Sequence, residues 1–336
     1  MKIAFLVAGL GLFLHLLTEV DGASVIDLIA KAQWWLALVG GIYFVAFLVD
    51  TVTWHLTLHP VPLDARWLYR LWKVRMAGEA LNEALPLGGF GGEPMKLLVA
   101  TRTYGLGGRH VTASLILART INTLALVVFL GIGFAFVFHS PALPDSTKWA
   151  AGIGLAALTA GVLGFFAVQS YGVATRLIRL LDGAPFASKA AATLEHIRAV
   201  DGRLAAFYRR DWPRFATAMG GAFANWALGA LETFVILWVI GYPVTFFDAW
   251  IIEAATQLAR AGAFFVPAAI GVQEGAFVLI CGLLTGSPTA GLATALIRRL
   301  RQIVWMAWGL AIAAGFRRRR DFSTDDRRPP RPARSP

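Results

Sequence analysis

Two stretches of this chain place carboxylates beside broken, glycine-rich backbone. The first reads Glu79-Ala80-Leu81-Asn82-Glu83-Ala84-Leu85-Pro86-Leu87-Gly88-Gly89-Phe90-Gly91-Gly92-Glu93-Pro94-Met95-Lys96. The second carries Glu253 and Gln257, then Arg260, then Val266-Pro267-Ala268-Ala269-Ile270-Gly271-Val272-Gln273-Glu274-Gly275. In each, a proline precedes a glutamate by seven residues, Pro86 before Glu93 and Pro267 before Glu274. An ionised carboxylate in hydrocarbon is costly unless it is paired or hydrated. The chemistry these residues suit is a polar cavity in which acids relay a proton or ion, or close around a headgroup. Two plainer readings stand beside it. Glu79 and Glu83 could lie at a membrane surface, simply solvated. Asn82, Gln257 and Gln273 could serve backbone groups freed where helices break.

Cations accompany the acids. Arg119 lies well inside an apolar run, and Asn122 shares its helix face three residues on. Arginine at such depth normally faces a partner or a cavity. The expected partner is Glu93, then Glu274, or a lipid phosphate. Arg298 and Arg301 share a face in the last apolar stretch, with Gln302 adjoining. Guanidinium groups suit phosphate through paired N–H donors. Arg299 is the arginine expected to snorkel towards an interface. Glu232, in the middle of another apolar run, is expected to pair with one of these arginines.

Composition defines the solvent. The chain is 57% hydrophobic and only 15% charged, with mean hydropathy +0.62. That is an integral membrane protein. The net charge of +11 fits basic loops that face anionic lipid headgroups, and no nucleic-acid partner is expected. The single cysteine, Cys281, excludes an internal disulfide, and the six scattered histidines give no metal spacing. Phosphate-cradling, nucleophile-elbow and zinc-protease patterns are absent, so the chain is read as a non-enzyme without a cofactor.

The elements that must position these residues follow from hydropathy. Six full spans are expected over roughly 3–20, 34–56, 111–138, 149–169, 214–240 and 289–316. The first reads as an uncleaved helix rather than a signal peptide. Residues 60–76 set Arg66, Arg70, Lys73 and Arg75 among Trp67, Leu68, Leu71 and Trp72, the pattern of an interfacial amphipathic helix. The broken segments fall at roughly 77–100 and 248–285, a polar helical region at roughly 172–212, and a disordered basic tail at 317–336. Residues 1–316 are then a single membrane domain. The loop 57–76 holds four Lys/Arg, and 172–214 and the tail hold eight each. Both termini are therefore expected in the cytoplasm. The two broken segments become re-entrant hairpins entering from opposite faces, as in an inverted repeat. In that arrangement Glu93 and Glu274 would approach each other near the bilayer centre.

These residues also carry a resemblance. Gly78-Glu79-Ala80-Leu81-Asn82, Leu85-Pro86 and Gly91-Gly92-Glu93-Pro94-Met95-Lys96 resemble the first signature of the lysylphosphatidylglycerol-synthase transmembrane-region family, also called flippase-like domain proteins. Pro267 to Gly275 resembles the second, and Arg119-Thr120-Ile121-Asn122 resembles an intramembrane arginine motif of the family. The resemblance covers roughly residues 1–316 and is nearest the branch associated with hopanoid biosynthesis. It implies movement of a lipid between leaflets or out of the inner membrane. Where the family often has arginine before the second glutamate, this chain has Gln273.

The sequence reading is thus an all-α polytopic protein of the cytoplasmic membrane that moves a polar-headed or polycyclic lipid. Its expected partners are membrane lipids and lipid-biosynthesis proteins. The residues expected to form the path are Glu79, Asn82, Glu83, Pro86, Gly91, Gly92, Glu93, Lys96, Arg119, Asn122, Glu232, Glu253, Gln257, Arg260, Pro267, Gln273, Glu274, Arg298 and Arg301. A membrane-embedded lipid transferase and a scaffold for lipid synthesis are the alternatives.

Overall fold

The computed structural model describes residues 22–58, 61–84, 91–170, 202–204, 206–208, 210–263, 266 and 269–325, with the isolated positions 11, 15 and 18. The expected span at 3–20 lies almost wholly outside these, as do Pro86, Pro267 and most of the region 172–212.

The described chain is helical, with no strand among the described residues. In order the helices are α1 (Gly22–Ala32), α2 (Trp35–Thr57), α3 (Ala65–Ala84), α4 (Glu93–Arg102) and α5 (Gly108–His139). There follow α6 (Asp145–Ser170), α7 (Trp212–Val239), α8 (Phe246–Gly262), α9 (Val272–Thr285) and α10 (Pro288–Asp325). Helices α2, α5 and α7, and Asp145–Phe165 of α6, are long and apolar enough to cross a membrane. Helix α10 is long enough at 38 residues but carries Arg298, Arg299 and Arg301 partway along. Large apolar side chains such as Val128, Phe138, Ile153 and Val304 are exposed on the outer surface, as suits a molecule whose solvent is lipid.

Local sequence sets the helix ends. Thr245 and Asp248 form a capping box at the start of α8: the Thr245 hydroxyl accepts from the Asp248 N–H, and Asp248 accepts from the Thr245 N–H. Between α8 and α9 the chain turns sharply, with φ 48° at Ala269 and 80° at Gly271. At 17 and 14 residues, α8 and α9 extend only about 25 and 21 Å, short of a hydrocarbon core of about 30 Å.

Two boundaries differ from expectation. Helix α3 runs unbroken from Ala65 to Ala84, so the interfacial helix at 60–76 and the start of the broken segment at 77 are one element. The change at Ala77 is a change of surroundings, since Met76, Ala77 and Ala80 bury against neighbouring helices. Helix α10 continues past Arg317, where the tail was expected to begin, as far as Asp325. No proline interrupts it before Pro329.

The packing pairs the two halves. Take α2 with α7, α3 with α8, α4 with α9 and α5 with α10. Helix α3 packs on α2, α4 and α10; its counterpart α8 packs on α7, α9 and α5. Helix α4 packs on α5 as α9 does on α10, and α2 and α7 lie against each other. Small residues permit the closest crossings. A Cβ on Gly92 would lie 1.8 Å from the Gly78 carbonyl oxygen, and one on Gly309 would lie 2.4 Å from that of Met76.

Candidate functional site

The buried charges assemble into two clusters. The first lies where α2, α3 and α4 meet. Lys96 Nζ, almost fully buried, donates to Glu79 at 2.8 Å and to Glu93 at 2.9 Å. Asn82 donates to Glu79 at 3.1 Å and accepts from the Gly92 N–H at 2.6 Å, fixing the start of α4 against α3. Arg75 pairs with Asp50 of α2 and lies over the Phe47 ring at 4.6 Å. A cavity of about 200 Å³ opens among Asp50, Arg75, Glu79, Glu93, Lys96, Arg119 and Asn122, closed on one side by Asn225 and Trp226.

The second cluster joins α7, α8, α9 and α10. Arg298 grips both oxygens of Glu253, one of them at 3.1 Å. Thr233 and Gln257 donate to the same carboxylate at 2.9 and 2.7 Å. Glu232 stands between Arg301 at 2.9 Å and Arg298 at 3.6 Å, which is the arginine pairing expected of it. Arg301 also lies 3.5 Å over the Tyr43 ring. Arg299 pairs with Glu274 and donates to Gln302 at 3.0 Å, and Gln302 donates to Glu83. A second cavity, of about 170 Å³, is lined by Glu83, Glu232, Glu253, Gln257, Arg260, Gln273, Arg298 and Arg301. Among the described residues the Nε of Arg298 and the Nη1 of Arg301 are buried without a hydrogen-bond acceptor, whereas the Nε of Arg301 faces Glu232. A buried donor left in that state favours a polar guest.

The cavities adjoin: Asn225 and Trp226 of α7 line both of them. Trp226 is held there by donating its indole N–H to the Asn122 carbonyl at 3.1 Å. An apolar groove of about 460 Å³ adjoins the first cavity, lined by Pro94, Leu97, Leu115, Ile116 and Phe165. Groove and first cavity share Glu93, Leu115 and Arg119.

Several expectations are corrected by this geometry. Glu93 and Glu274 do not form a facing pair: Glu93 is bound to Lys96, and Glu274 to Arg299. Glu83, through Gln302 and Arg299, is the first-segment acid linked to Glu274. Glu274 also caps its own helix, accepting from the Gly271 N–H at 2.8 Å. Arg119 lines the groove and the first cavity together with Glu93, its first expected neighbour, while Glu274, the second, is paired with Arg299. Arg299 does not snorkel, because Glu274 lies within reach across α9 and α10. Gly91 is buried at the start of α4. Pro86 and Pro267 lie outside the described residues.

Sequence reasoning missed Asp50, Arg75, Asn225 and Trp226. The one available signal was Asp50, an acid inside an apolar span. Arg75 was hidden among the other cations of the basic stretch before it.

Fold and site together define a polytopic helical membrane protein with paired intramembrane charge clusters. A profile of the lysylphosphatidylglycerol synthase TM region matches residues 1–309, and the chain belongs to that family. No curated protein and no solved structure matches it.

Proposed function

We propose that the protein carries a polar-headed lipid between the leaflets of the cytoplasmic membrane, a phospholipid or a polycyclic lipid of the hopanoid kind. One observation carries this reading. An apolar groove and a charged cavity share the residues Glu93, Leu115 and Arg119. Such a junction suits an amphiphile, with the tail in the groove beside Leu97 and Phe165 and the headgroup among Glu93, Lys96 and Arg119. The second cavity, behind Asn225 and Trp226, offers the headgroup a further polar station in which Arg260 and the open donors of Arg298 and Arg301 are available.

Helices α3–α4 and α8–α9 act as re-entrant hairpins from opposite faces, with both termini cytoplasmic. Their reciprocal contacts and the short lengths of α4, α8 and α9 support that arrangement. The headgroup passes from one charged cluster to the other while its tail stays in the bilayer. Trp226 separates the stations, so its movement opens one to the other.

The test is reconstitution of the purified protein in vesicles that carry a headgroup-labelled lipid in one leaflet. Probe should reach the opposite leaflet at least tenfold faster than in protein-free vesicles. Equal rates for the candidate lipids would reject transport. A new lipid species by mass spectrometry would instead indicate a transferase.

A further inference from the structure

Away from both charge clusters, α3, α4 and α10 enclose a cavity of about 510 Å³ whose lining includes Arg66, Arg70, Lys73, Tyr104, Ile312 and Phe316. We propose that it binds the phosphate of an anionic phospholipid, as a site separate from the transport path.

The cations carry the argument. Arg66, Arg70 and Lys73 recur at i, i+4 and i+7 and so form one stripe of α3. Among the described residues none of them has a carboxylate partner. The buried cations behave differently: Arg75, Lys96, Arg298, Arg299 and Arg301 each face an acid. What holds Arg70 and Lys73 is aromatic. Arg70 lies 4.7 Å over Trp67 and 5.4 Å over Tyr104, and Lys73 lies 4.3 Å over Tyr69. Contact with a ring face positions a cation but supplies no oxygen to its N–H groups. Two ring-held cations with donors to spare, and Arg66 one turn away on the same stripe, suit a phosphate, whose oxygens accept several charge-assisted hydrogen bonds at once.

The rest of the cavity selects the form of the phosphate. Ile312 and Phe316 give it an apolar floor, which a free phosphate ion does not use and the glycerol and first methylenes of a lipid do. Its level along the bundle agrees. Phe316 follows Arg301 by fifteen residues, about 22 Å along α10. Half the hydrocarbon thickness is about 15 Å. With Arg301 near the midplane, the cavity stands among headgroups, where anionic lipids concentrate opposite basic side chains.

The experiment uses the full chain in detergent, titrated with short-chain phosphatidylglycerol, short-chain phosphatidylcholine or inorganic phosphate, with bound lipid counted by native mass spectrometry. Wild type should retain one phosphatidylglycerol in preference to phosphatidylcholine, and millimolar inorganic phosphate should not displace it. The triple variant R66Q/R70Q/K73Q should bind phosphatidylglycerol on the order of a hundredfold more weakly, about fivefold per cation, with unchanged affinity for phosphatidylcholine. Should the triple variant lose its melting transition, Arg66→Gln alone, an exposed residue, decides the matter with an expected loss of about fivefold. Undiminished phosphatidylglycerol binding in the folded variants would overturn the site. Displacement by inorganic phosphate would overturn the assignment to a lipid.

Discussion

Arg298 grips both carboxylate oxygens of Glu253 across α8 and α10, and Glu253 is only 1% exposed. The pair replaces hydration that neither ion has. Removing one partner strands a buried charge, so Glu253→Leu or Arg298→Met alone should lower stability by about 3–5 kcal/mol. The double substitution Glu253→Leu with Arg298→Met should recover most of that loss, because Glu232 keeps Arg301 at 2.9 Å. Unfolding of the four proteins in one detergent, as a double-mutant cycle, measures the coupling.

The two glutamates that follow the breaks should behave differently. Glu93 is partly exposed at the groove, and Lys96 keeps Glu79 when Glu93 is neutralised. Glu93→Gln should therefore fold normally and lose lipid movement. Glu274 is buried, caps α9 and holds Arg299. Glu274→Gln should lower stability by about 3 kcal/mol. A thermal melt alongside a leaflet-resolved assay separates the two outcomes. Equal stability in both variants would contradict the distinction.

Gly92 is required by a close approach rather than by flexibility. Gly92→Ala drives a methyl group onto the Gly78 carbonyl oxygen, and backbone cannot yield as a side chain can. A loss of about 3 kcal/mol is expected. Gly220→Ala has open space around it and should be neutral or stabilising by about 0.5 kcal/mol. Comparing the melting temperatures of the two variants checks both statements.

Arg260 lines the second cavity and makes no hydrogen bond or ion pair with the described residues. Arg260→Gln should leave the melt unchanged and slow movement of an anionic lipid by about tenfold, the loss of one charge-assisted contact. Wild-type rates would remove it from the path.

The sequence showed the breaks and the isolated charges, because a proline among glycines and an arginine in an apolar run are visible without a partner in view. Glu253, Arg298 and Glu232 were legible for that reason. Their pairings were less so. Arg299 looked like an interfacial side chain until α9 placed Glu274 beside it, and neither helix shows that crossing on its own. Arg75 escaped because it closed a basic run, and Asp50, although an acid inside an apolar span, had no partner in view until the packing of α2 on α3 joined them. The single helix from Ala65 to Ala84 was hidden by a change from polar to buried surroundings, which alters composition without altering backbone.

Leu115 touches both the apolar groove and the first charged cavity, so it tests the shared path most directly. The chain's single cysteine, Cys281, is buried, and Cys281→Ala gives a background without thiols. A cysteine placed at Leu115 can then be coupled to a bulky maleimide in reconstituted vesicles. The account predicts that the unlabelled Leu115→Cys protein moves lipid between leaflets and that labelling reduces the rate to that of protein-free vesicles. Lipid movement at the unlabelled rate after complete labelling would contradict it.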